Sequence, residues 1–475
     1  MNMTDRPNIL FLLSDQHNPG VLGRAENGLV RTPNLDRLAD EGVLFDRAYC
    51  QNPLCVPSRS SFLTGRYSRS IGIYTNSDML EPGCCTIPHR LADHGYRTCQ
   101  IGKAHFNGDQ FHGYQERPYG DLFGQAHQPD PRRPADGVGS GLGSLVGNAG
   151  PSGIPLPLTQ TEICVSEAAK WLQTHVGLRG DEPFFLTVGF DKPHFPVRCQ
   201  ARYFSHYEGR VPAPQVPEGY AERAVPFVRK AIEGSRCTEQ EALRYLAAYY
   251  GCVEWIDNAI GRILQVLEYL GLAENTIVIY TSDHGDLGGA KGAWNKTLFF
   301  DASARVPLIV RCPSRFPGGR RVGDLTGLID LFPTLCEAAG APVPDACEGA
   351  SLMPVLQGTG PLARDRIFCE SAFLGEPTAA GCMMRTEQWK YALYLDGAEE
   401  LYDLAQDPGE WRNLAAEPRL REVADALRAQ VHAFWEPDKH AERLAATPRV
   451  ARQKHWYPYS NQFLLGGGTM ADARP

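Results

Sequence analysis

Residues 55–66 combine a candidate nucleophile with the features of a helix start. The segment reads Cys-Val-Pro-Ser-Arg-Ser-Ser-Phe-Leu-Thr-Gly-Arg. Pro57 suits the first turn of a helix, and a side chain at a helix N-terminus lies in a positive backbone field that favours an anionic nucleophile or ligand. Arg59 would add a permanent cation nearby. The alternative is a buried thiol before a capped helix, with Arg59 in a surface ion pair, and the segment alone does not decide between the two.

Candidate cation ligands follow two apolar runs that lie far apart in the sequence. Asp15 and Gln16 come after the first run, and Asp283 and His284 come after the other. Carboxylate, amide and imidazole groups can together hold a divalent cation. Taken alone, each pair is better explained by a turn or a helix cap. The prediction of a metal site therefore depends on the two segments meeting in the fold.

Alternating strand and helix patterns would bring these residues together. Strand-like apolar runs cover residues 8–13, 43–48, 184–190, 276–281 and 306–310, and helical patterns include residues 34–41 and 242–270. This alternation predicts an α/β fold with a mostly parallel sheet covered by helices. Ligands of open α/β sheets lie beyond the carboxyl ends of the strands, so both polar pairs are expected at one edge.

The pattern changes near residue 360, and 475 residues are enough for two structural units. A strand-like run at residues 389–394 and a helical run at about 419–435 follow. We predict a catalytic domain over residues 1–362 and a C-terminal subdomain and tail over 363–475. The tail beyond Pro448 is too aromatic for a free linker, so we expect it to pack on its own body or on a neighbouring subunit. Residues 130–157, rich in Gly and Pro, are expected to form a long loop over one face.

Composition restricts the partners and the location of the protein. A formal net charge of -8 argues against a surface for nucleic acid or anionic membrane. The apolar run at residues 8–13 is too short for a signal peptide, and no run is long enough to span a bilayer, so a cytoplasmic protein is expected. The 14 cysteines are scattered, which predicts mostly reduced, buried thiols, including the adjacent Cys84 and Cys85.

Residues 55–66 resemble the sulfatase signature, Cys-x-Pro-Ser-Arg followed by a helix and Leu-Thr-Gly, in which the cysteine is converted to formylglycine. Three more segments resemble elements of that family: Gly-Lys-Ala-His at 102–105, Pro-His at 193–194 and Trp-Asn-Lys at 294–296. The resemblance implies the catalytic set Cys55, Arg59, Lys103, His105, His194 and Lys296. It extends to about residue 413, where residues 401–404 and 407–410 look like the C-terminal motif of the family.

The resemblance also implies the fold and the cofactors. The family has an alkaline-phosphatase-like α/β domain followed by a smaller antiparallel sheet. In it the two strand ends meet at a cation, usually calcium, which also contacts the formylglycine; the implied ligands are Asp15, Gln16, Cys55, Asp283 and His284. Gln16 and His284 depart from the commonest form and occur in the choline-sulfatase and phosphonate-monoesterase branches. Calcium is expected, with manganese or magnesium as alternatives.

The implied reaction is hydrolysis of a small organic sulfate ester. One hydroxyl of the hydrated formylglycine attacks sulfur, the alcohol leaves with help from His194 or Lys296, and loss of a proton from the second hydroxyl to His105 expels sulfate. Fixed ammonium groups and a metal would stabilise the charge that spreads over the sulfate oxygens. A formylglycine-generating enzyme is the implied maturation partner.

Two other functions remain open. A phosphonate monoester or phosphodiester hydrolase shares this fold, but in those relatives neutral hydroxyl residues replace the Lys-x-His element, which favours sulfate here. A non-catalytic anion-binding protein is disfavoured because the nucleophile and basic residues are all present. Residues 102–114 and 302–309 resemble the choline-sulfatase branch, with Glu370 and Phe373 as candidates for a quaternary ammonium site. A structural glutamate at a strand end explains Glu370 equally well, and aryl or sugar sulfates remain open.

Overall fold

A computed structural model of the protein describes residues 6–25, 28–76, 78–106, 110–120, 146–180, 182–362, 364–372 and 380–446. The strands are β1 (Asn8–Asp15), β2 (Val43–Tyr49), β3 (Arg97–Gly102), β4 (Glu116–Gly120), β5 (Gly150–Pro151), β6 (Phe184–Pro193), β7 (Arg198–Cys199), β8 (Thr276–Ser282), β9 (Arg305–Arg311), β10 (Arg320–Val322), β11 (Thr326–Gly327), β12 (Arg366–Ala372), β13 (Ala380–Thr386), β14 (Trp389–Tyr394) and β15 (Glu399–Asp403). The α-helices are Pro33–Glu41, Cys55–Thr64, Ser68–Ile71, Ile87–Asp93, Gln160–Arg179, Ala201–Tyr207, Tyr220–Arg223, Pro226–Glu233, Glu239–Tyr269, Asp301–Ala304, Leu331–Ala339, Met353–Gln357, Arg421–Phe434 and Pro437–Ala446. Short 3-10 helices cover Leu156–Leu158, Ala290–Gly292, Leu328–Asp330 and Pro418–Leu420.

The large central sheet confirms the predicted α/β fold. Its strand order is β10-β2-β9-β8-β1-β6-β3-β4, and β11 pairs with β2. β1 runs parallel to both β6 and β8, whereas β9 runs antiparallel to β2 and β8. The sheet is therefore mixed but mostly parallel, and each of the five predicted apolar runs is one of its strands.

Both faces of the sheet are covered, which explains why its central strands are apolar without interruption. In β1, Ile9 and Phe11 join one hydrophobic cluster, and Leu10 and Leu12 join another on the opposite face. This alternation follows from the period of two along a strand. Helices Cys55–Thr64 and Leu331–Ala339 contribute to the first cluster, and helices Pro33–Glu41, Gln160–Arg179 and Glu239–Tyr269 contribute to the second.

A four-stranded antiparallel sheet, in the order β12-β13-β14-β15, confirms the predicted C-terminal subdomain architecture. Helix Arg421–Phe434 packs on it through Leu427 and Val431, in a cluster that includes Leu401 of β15. The domain boundary after residue 362 stays a prediction. The tail beyond Pro448, and most of the predicted long loop at 130–157, lie outside the described residues.

The cysteine prediction is correct in general and wrong at Cys85. All 14 cysteines are free, and most are buried, but Cys85 is exposed and Cys84 is half-buried. The pair lies in a turn, with the Cys84 N–H donating to the Glu81 carbonyl at 3.0 Å, just before helix Ile87–Asp93. Cys84 packs partly against the hydrophobic cluster that includes Phe11, whereas Cys85 faces solvent. Within the described part of the chain, no helix has the length and apolar character needed to cross a membrane.

Candidate active site

The predicted site residues meet at one edge of the central sheet, where β8, β1, β6 and β3 end side by side. Asp15 is the last residue of β1, and Asp283 directly follows β8. His194 directly follows β6, and its N–H donates to the Asp15 carbonyl at 3.1 Å. Lys103 follows β3, with its N–H bonded to the Gly189 carbonyl at 2.8 Å. Four neighbouring strands therefore deliver these side chains to the same place.

The close approach of the paired strands β3 and β6 at this edge requires glycine. Gly102 has a φ of 81°, and a Cβ there would lie 2.2 Å from the Gly189 carbonyl oxygen. A Cβ on Gly189 would lie 2.0 Å from the Lys103 carbonyl oxygen. Any larger residue would push the two chains apart and displace Lys103.

Helix Cys55–Thr64 begins at Cys55 and is buried along its whole length. The Asn76 side chain accepts the Val56 N–H at 3.0 Å, which satisfies one of the unpaired donors of the first turn. Ser58 donates its hydroxyl to the Asp283 carbonyl at 2.5 Å and so joins the helix start to the end of β8. The helix predicted at this segment is confirmed, and its first turn faces the cluster of strand ends.

Arg59 joins the two carboxylates. Its Nε donates to Asp283 Oδ2 at 2.7 Å and its Nη2 to Asp15 Oδ2 at 2.9 Å, and all three side chains are fully buried. Lys103 Nζ lies 2.7 Å from the same Asp15 oxygen. The surface ion pair considered for Arg59 is therefore excluded. Two buried cations balance two buried carboxylates, which is the condition under which such charges are tolerated.

Four side chains offer ligand atoms to one point. Asp15, Cys55, Asp283 and His284 each supply an atom, and these atoms lie within 4.8 Å of one another. Cys55 Sγ is 3.2 Å from His284 Nε2 and 3.9 Å from Asp15 Oδ1. In an enzyme with formylglycine at position 55, Sγ marks the position of the aldehyde or diol oxygen.

Gln16, the fifth predicted ligand, lies beside this group. Its N–H donates to Asp283 Oδ1 at 3.1 Å, and its side-chain Nε2 donates to the Asp286 carboxylate. An ionised carboxylate only accepts hydrogen bonds, so the amide nitrogen faces Asp286 and Oε1 is left as an acceptor. Within the described residues this buried Oε1 has no hydrogen-bond partner. A buried, unsatisfied oxygen next to two carboxylates and an imidazole fits a divalent cation.

Basic residues also lie close to Cys55. Lys296 Nζ donates to Sγ at 2.9 Å, and His194 Nε2 lies 3.9 Å from it. His194 Nδ1 bonds the Phe195 carbonyl at 2.7 Å, so Nδ1 carries the proton and the Nε2 lone pair faces the thiol. His105 is buried in the same region, with a left-handed φ of 57°. All the predicted catalytic residues are thus assembled around position 55.

The charges in the site shift the pKa of its acidic groups. Burial alone would raise the pKa of Asp15, but Lys103 and the other cations around it hold that pKa well below its usual range. Burial and the Asp15 charge also act to raise the pKa of the Cys55 thiol. Lys296 and His284 outweigh them and lower it. The site therefore favours a negative charge at position 55.

The two predicted catalytic histidines are kept neutral. Burial, followed by the charge of Lys103, holds the pKa of His105 well below its usual value. Burial, followed by the charge of Lys296, does the same for His194. Both rings can therefore accept a proton at neutral pH.

Two contributors to the site were not predicted from the sequence. Asp286 accepts hydrogen bonds from Gln16, from the Tyr245 hydroxyl at 2.7 Å and from the Gly288 N–H at 2.6 Å. Asp286 could have been recognised as an acidic residue two positions after His284. The second contributor is Asn76, and no local signal marks it as the cap of the helix that begins at Cys55.

Comparison with known proteins identifies the family. The sulfatase family profile matches residues 7–341, and a profile described as the C-terminal part of N-sulphoglucosamine sulphohydrolase matches residues 289–436. A choline-sulfatase of Rhizobium meliloti is 30% identical over 480 residues, covering 96% of this chain and 91% of its own. An arylsulfatase of Clostridium perfringens is 30% identical, covering 89% of this chain and 93% of its own.

Solved structures agree in fold. The phosphonate monoester hydrolase of Agrobacterium radiobacter superposes with a TM-score of 0.78 at 26% identity, over 92% of this chain and 96% of that chain. A protein solved with its substrate D-glucosamine-2-N,6-O-disulfate gives a TM-score of 0.77 at 23% identity, over 94% and 99% of the two chains. Because the profile covers well over half of the chain and 30% identical relatives align along most of it, the chain belongs to the sulfatase family, the sulfuric ester hydrolases with an alkaline-phosphatase-like fold.

Proposed function

We propose that the protein hydrolyses a small organic sulfate ester to an alcohol and inorganic sulfate, using a formylglycine formed from Cys55 and a divalent cation. The observation that carries the proposal is the position of Cys55 between two kinds of group. Ligand atoms of Asp15, Asp283 and His284 lie with Cys55 Sγ within 4.8 Å of one another, and Lys296 Nζ and His194 Nε2 lie 2.9 Å and 3.9 Å from the same Sγ. This arrangement suits a nucleophile that attacks an anionic centre while a leaving group departs towards a cation.

The proposed cofactors fit the residues present. Asp15, Gln16, Asp283 and His284 would hold calcium, with manganese or magnesium as alternatives, and the cation would act as a Lewis acid beside position 55. Formylglycine would supply, in its hydrated form, a hydroxyl nucleophile and a second hydroxyl for release of sulfate. Maturation needs a formylglycine-generating enzyme, which we propose as a partner during synthesis.

The basic residues have different proposed roles in the reaction. Arg59 and Lys103 are held against the carboxylates, where they fix the ligand geometry and reduce the negative charge that an incoming sulfate meets. Lys296 stabilises the departing alkoxide, because its ammonium already lies 2.9 Å from the nucleophile position. His194 Nε2, which carries no proton in the resting ring, takes the proton of the attacking hydroxyl and passes it to the leaving group, and His105 accepts the proton of the second hydroxyl.

The nearest alternative is a phosphonate monoester or phosphodiester hydrolase, and its support is the structural similarity to the Agrobacterium enzyme. Lys103 and His105 favour sulfate, because the resemblance gives neutral residues at these positions in that branch. A non-catalytic anion-binding role has no observation in its favour, since the basic residues surround a potential nucleophile.

Choline-O-sulfate is one candidate substrate, since the Rhizobium relative is named a choline-sulfatase. Phe373 lies outside the described residues. Glu370 is fully buried in β12, and its carboxylate accepts the Arg69 N–H at 3.0 Å, which also suits a structural role. The named relatives include an arylsulfatase and an N-acetylglucosamine-6-O-sulfatase, so aryl and sugar sulfates remain candidates.

A substrate panel tests the proposal. Matured enzyme with calcium is assayed on choline-O-sulfate, monosaccharide sulfates, nitrophenyl sulfate and a nitrophenyl phosphonate, with the Cys55→Ala variant as the control. We expect a marked preference for one small sulfate ester and no turnover by Cys55→Ala. A preference for the phosphonate would support the alternative, and equal, feeble turnover of every compound would contradict a dedicated small-ester hydrolase.

We also propose that the C-terminal tail packs either on the body of its own subunit or on a neighbouring subunit. In the second case it would form a homo-oligomer. A truncation before Pro448 should change the size of the particle or its solubility. If size, solubility and activity are all unchanged, the tail has no such role.

A further inference from the structure

A three-residue segment of the C-terminal subdomain, residues 409–411, contacts the loop that carries Lys296. We call residues 291–301 the lysine loop, because Lys296 lies at its middle. The segment touches the loop at both of its ends. The sequence motif at residues 407–410, which the catalytic site leaves unexplained, therefore ends in contact with that loop.

At the first end, Lys291 is buried between the C-terminal segment and aromatic residues of the catalytic domain. It is 2% exposed, and its Nζ donates to the carbonyl oxygens of Gly409 and Glu410. The ammonium also lies over three aromatic rings, at 3.7 Å from the centroid of Trp411, 4.9 Å from Phe300 and 5.3 Å from Tyr220. Such desolvated cation–π contacts hold a charged group in one position.

At the second end, Glu410 holds the start of helix Asp301–Ala304. Its Oε2 accepts the Asp301 N–H at 2.8 Å. Lys390 pairs with the carboxylates of both Glu410 and Asp301 and donates to the Phe299 carbonyl at 3.2 Å. Glu410 and Lys390 are 3% and 2% exposed. Each buried charge in this network is balanced only by the others. The groups therefore have one arrangement in which all of their hydrogen bonds and ion pairs are made.

The backbone around Lys296 needs such support. Asn295 has a φ of 72° and Thr297 a φ of 84°, so both residues that flank the lysine are in the left-handed region. For a β-branched residue such as threonine this conformation is strongly disfavoured, and it persists only where the surrounding structure imposes it. The Asn295 carbonyl accepts the Leu287 N–H at 2.6 Å, and the Thr297 N–H donates to the Pro53 carbonyl at 3.2 Å. The contacts at the two ends of the loop add to this constraint.

We infer that Glu410 and Lys291 are positioning residues that place the Lys296 ammonium next to position 55, so that the C-terminal subdomain completes the active site. The inference rests on the proposed function, in which Lys296 stabilises the leaving group. A lysine side chain is long and flexible, and the position of its ammonium depends on the backbone that carries it. Loss of either contact lets residues 295–297 relax and moves the ammonium away.

The test uses the full chain, matured and loaded with calcium, in two variants, Glu410→Gln and Lys291→Met. Activity is measured on aryl sulfates whose leaving groups differ in pKa, and kcat is expressed per formylglycine. We expect kcat to fall about 10- to 100-fold with little change in KM, as a displacement near 1 Å can cause. The fall should be larger for poor leaving groups, because these depend most on Lys296.

Glu399→Gln is the matched control. Glu399 lies on β15 of the same sheet and pairs at 2.8 Å with Arg428, on helix Arg421–Phe434 rather than on the lysine loop. This variant should keep the kcat and the leaving-group dependence of the parent enzyme. An equal loss of kcat for every leaving group in Glu410→Gln and Lys291→Met would mean that they reduce only the folded fraction, and would overturn the inference.

A double-mutant comparison separates this inference from the proposed function. In a Lys296→Met background, Glu410→Gln should cause no further loss of kcat, because the group that it positions is gone. A full additional loss in that background overturns the inference alone. An unchanged kcat in Lys296→Met itself overturns the role proposed for Lys296, and the inference with it.

Discussion

Lys296 Nζ lies 2.9 Å from the Sγ atom of Cys55, and this contact joins the loop after β8 to the first turn of a buried helix. The Thr297 N–H donates to the Pro53 carbonyl at 3.2 Å, so backbone and side chain connect the same two segments. A cation is therefore held next to position 55 independently of any ligand. Such preorganised charge stabilises a transition state without reorganisation during the reaction.

Replacing Arg59 should destabilise the fold, because the guanidinium is the group that pairs both carboxylates. For Arg59→Met in the presence of a chelator we expect the free energy of unfolding to fall by about 3–5 kcal/mol, the cost of leaving a buried charge unpaired. The stability of Arg59→Lys should lie between those of the parent and of Arg59→Met, since one ammonium cannot reproduce the two-pronged hydrogen bonding of the guanidinium. Urea titration measures the free energy of unfolding. An Arg59→Lys variant as stable as the parent would contradict the claim that the guanidinium is needed to pair both carboxylates.

The pH profile should report the neutral His105. The pKa of His105 is held well below 6.5 by burial and then by Lys103. The neutral ring is the base for the second hydroxyl, so kcat should stay flat as the pH falls to 6.5 and decline only well below it. Lys103→Met removes a neighbouring positive charge, which raises that pKa and should move the acid limb to higher pH.

Lys192→Met is the control for this shift. Lys192 is also buried, but it pairs with Asp191 at 3.1 Å. Its replacement should leave the acid limb where it is in the parent. If Lys103→Met lowers activity without moving the limb, His105 is not the base that the profile reports.

Asp286 should control cation affinity through Gln16. In Asp286→Asn the new amide can donate to Gln16 Oε1, so the Gln16 amide is free to turn its nitrogen towards the cation. We expect calcium affinity, measured by competition with a chelating dye, to fall about 10- to 100-fold. Tyr245→Phe removes one hydrogen bond from Asp286 but keeps its charge, and should cost less. Unchanged affinity in Asp286→Asn would show that the orientation of Gln16 does not matter.

Cation removal should affect both activity and stability. After chelation we expect activity to be lost and to return with calcium, and with manganese if the imidazole and amide ligands favour it. Calcium at about 100 times its Kd should add about 2.7 kcal/mol to the free energy of unfolding, by mass action. The Asp283→Asn variant should show a much smaller gain, and a metal-independent parent enzyme would contradict the site.

The sequence was sufficient for the elements that have a strong local signal. Residues 184–190 and 276–281 were predictable as central strands because strands buried on both faces need uninterrupted apolar runs. Asp15 and Asp283 were predictable as neighbours because both follow such strands. The antiparallel C-terminal sheet and the catalytic basic residues came from the resemblance to sulfatases, not from periodicity.

Other features depend on contacts that no local pattern encodes. Lys291 lies in an Ala-Lys-Gly segment that is typical of an exposed turn, and only the tertiary fold places three aromatic rings around it. The Gln16–Asp286 contact joins residues 270 positions apart. Cys85 was wrongly expected to be buried, because composition alone does not show which thiols lie in a surface turn.

The most direct test is mass spectrometry of the peptide that contains position 55, combined with sulfate release by the same sample. Preparations with different degrees of maturation are compared, with and without a co-expressed formylglycine-generating enzyme. We predict the mass loss that accompanies conversion of the thiol to an aldehyde, and an activity that is proportional to the converted fraction. Full activity from a sample in which Cys55 is unmodified would contradict the proposed nucleophile.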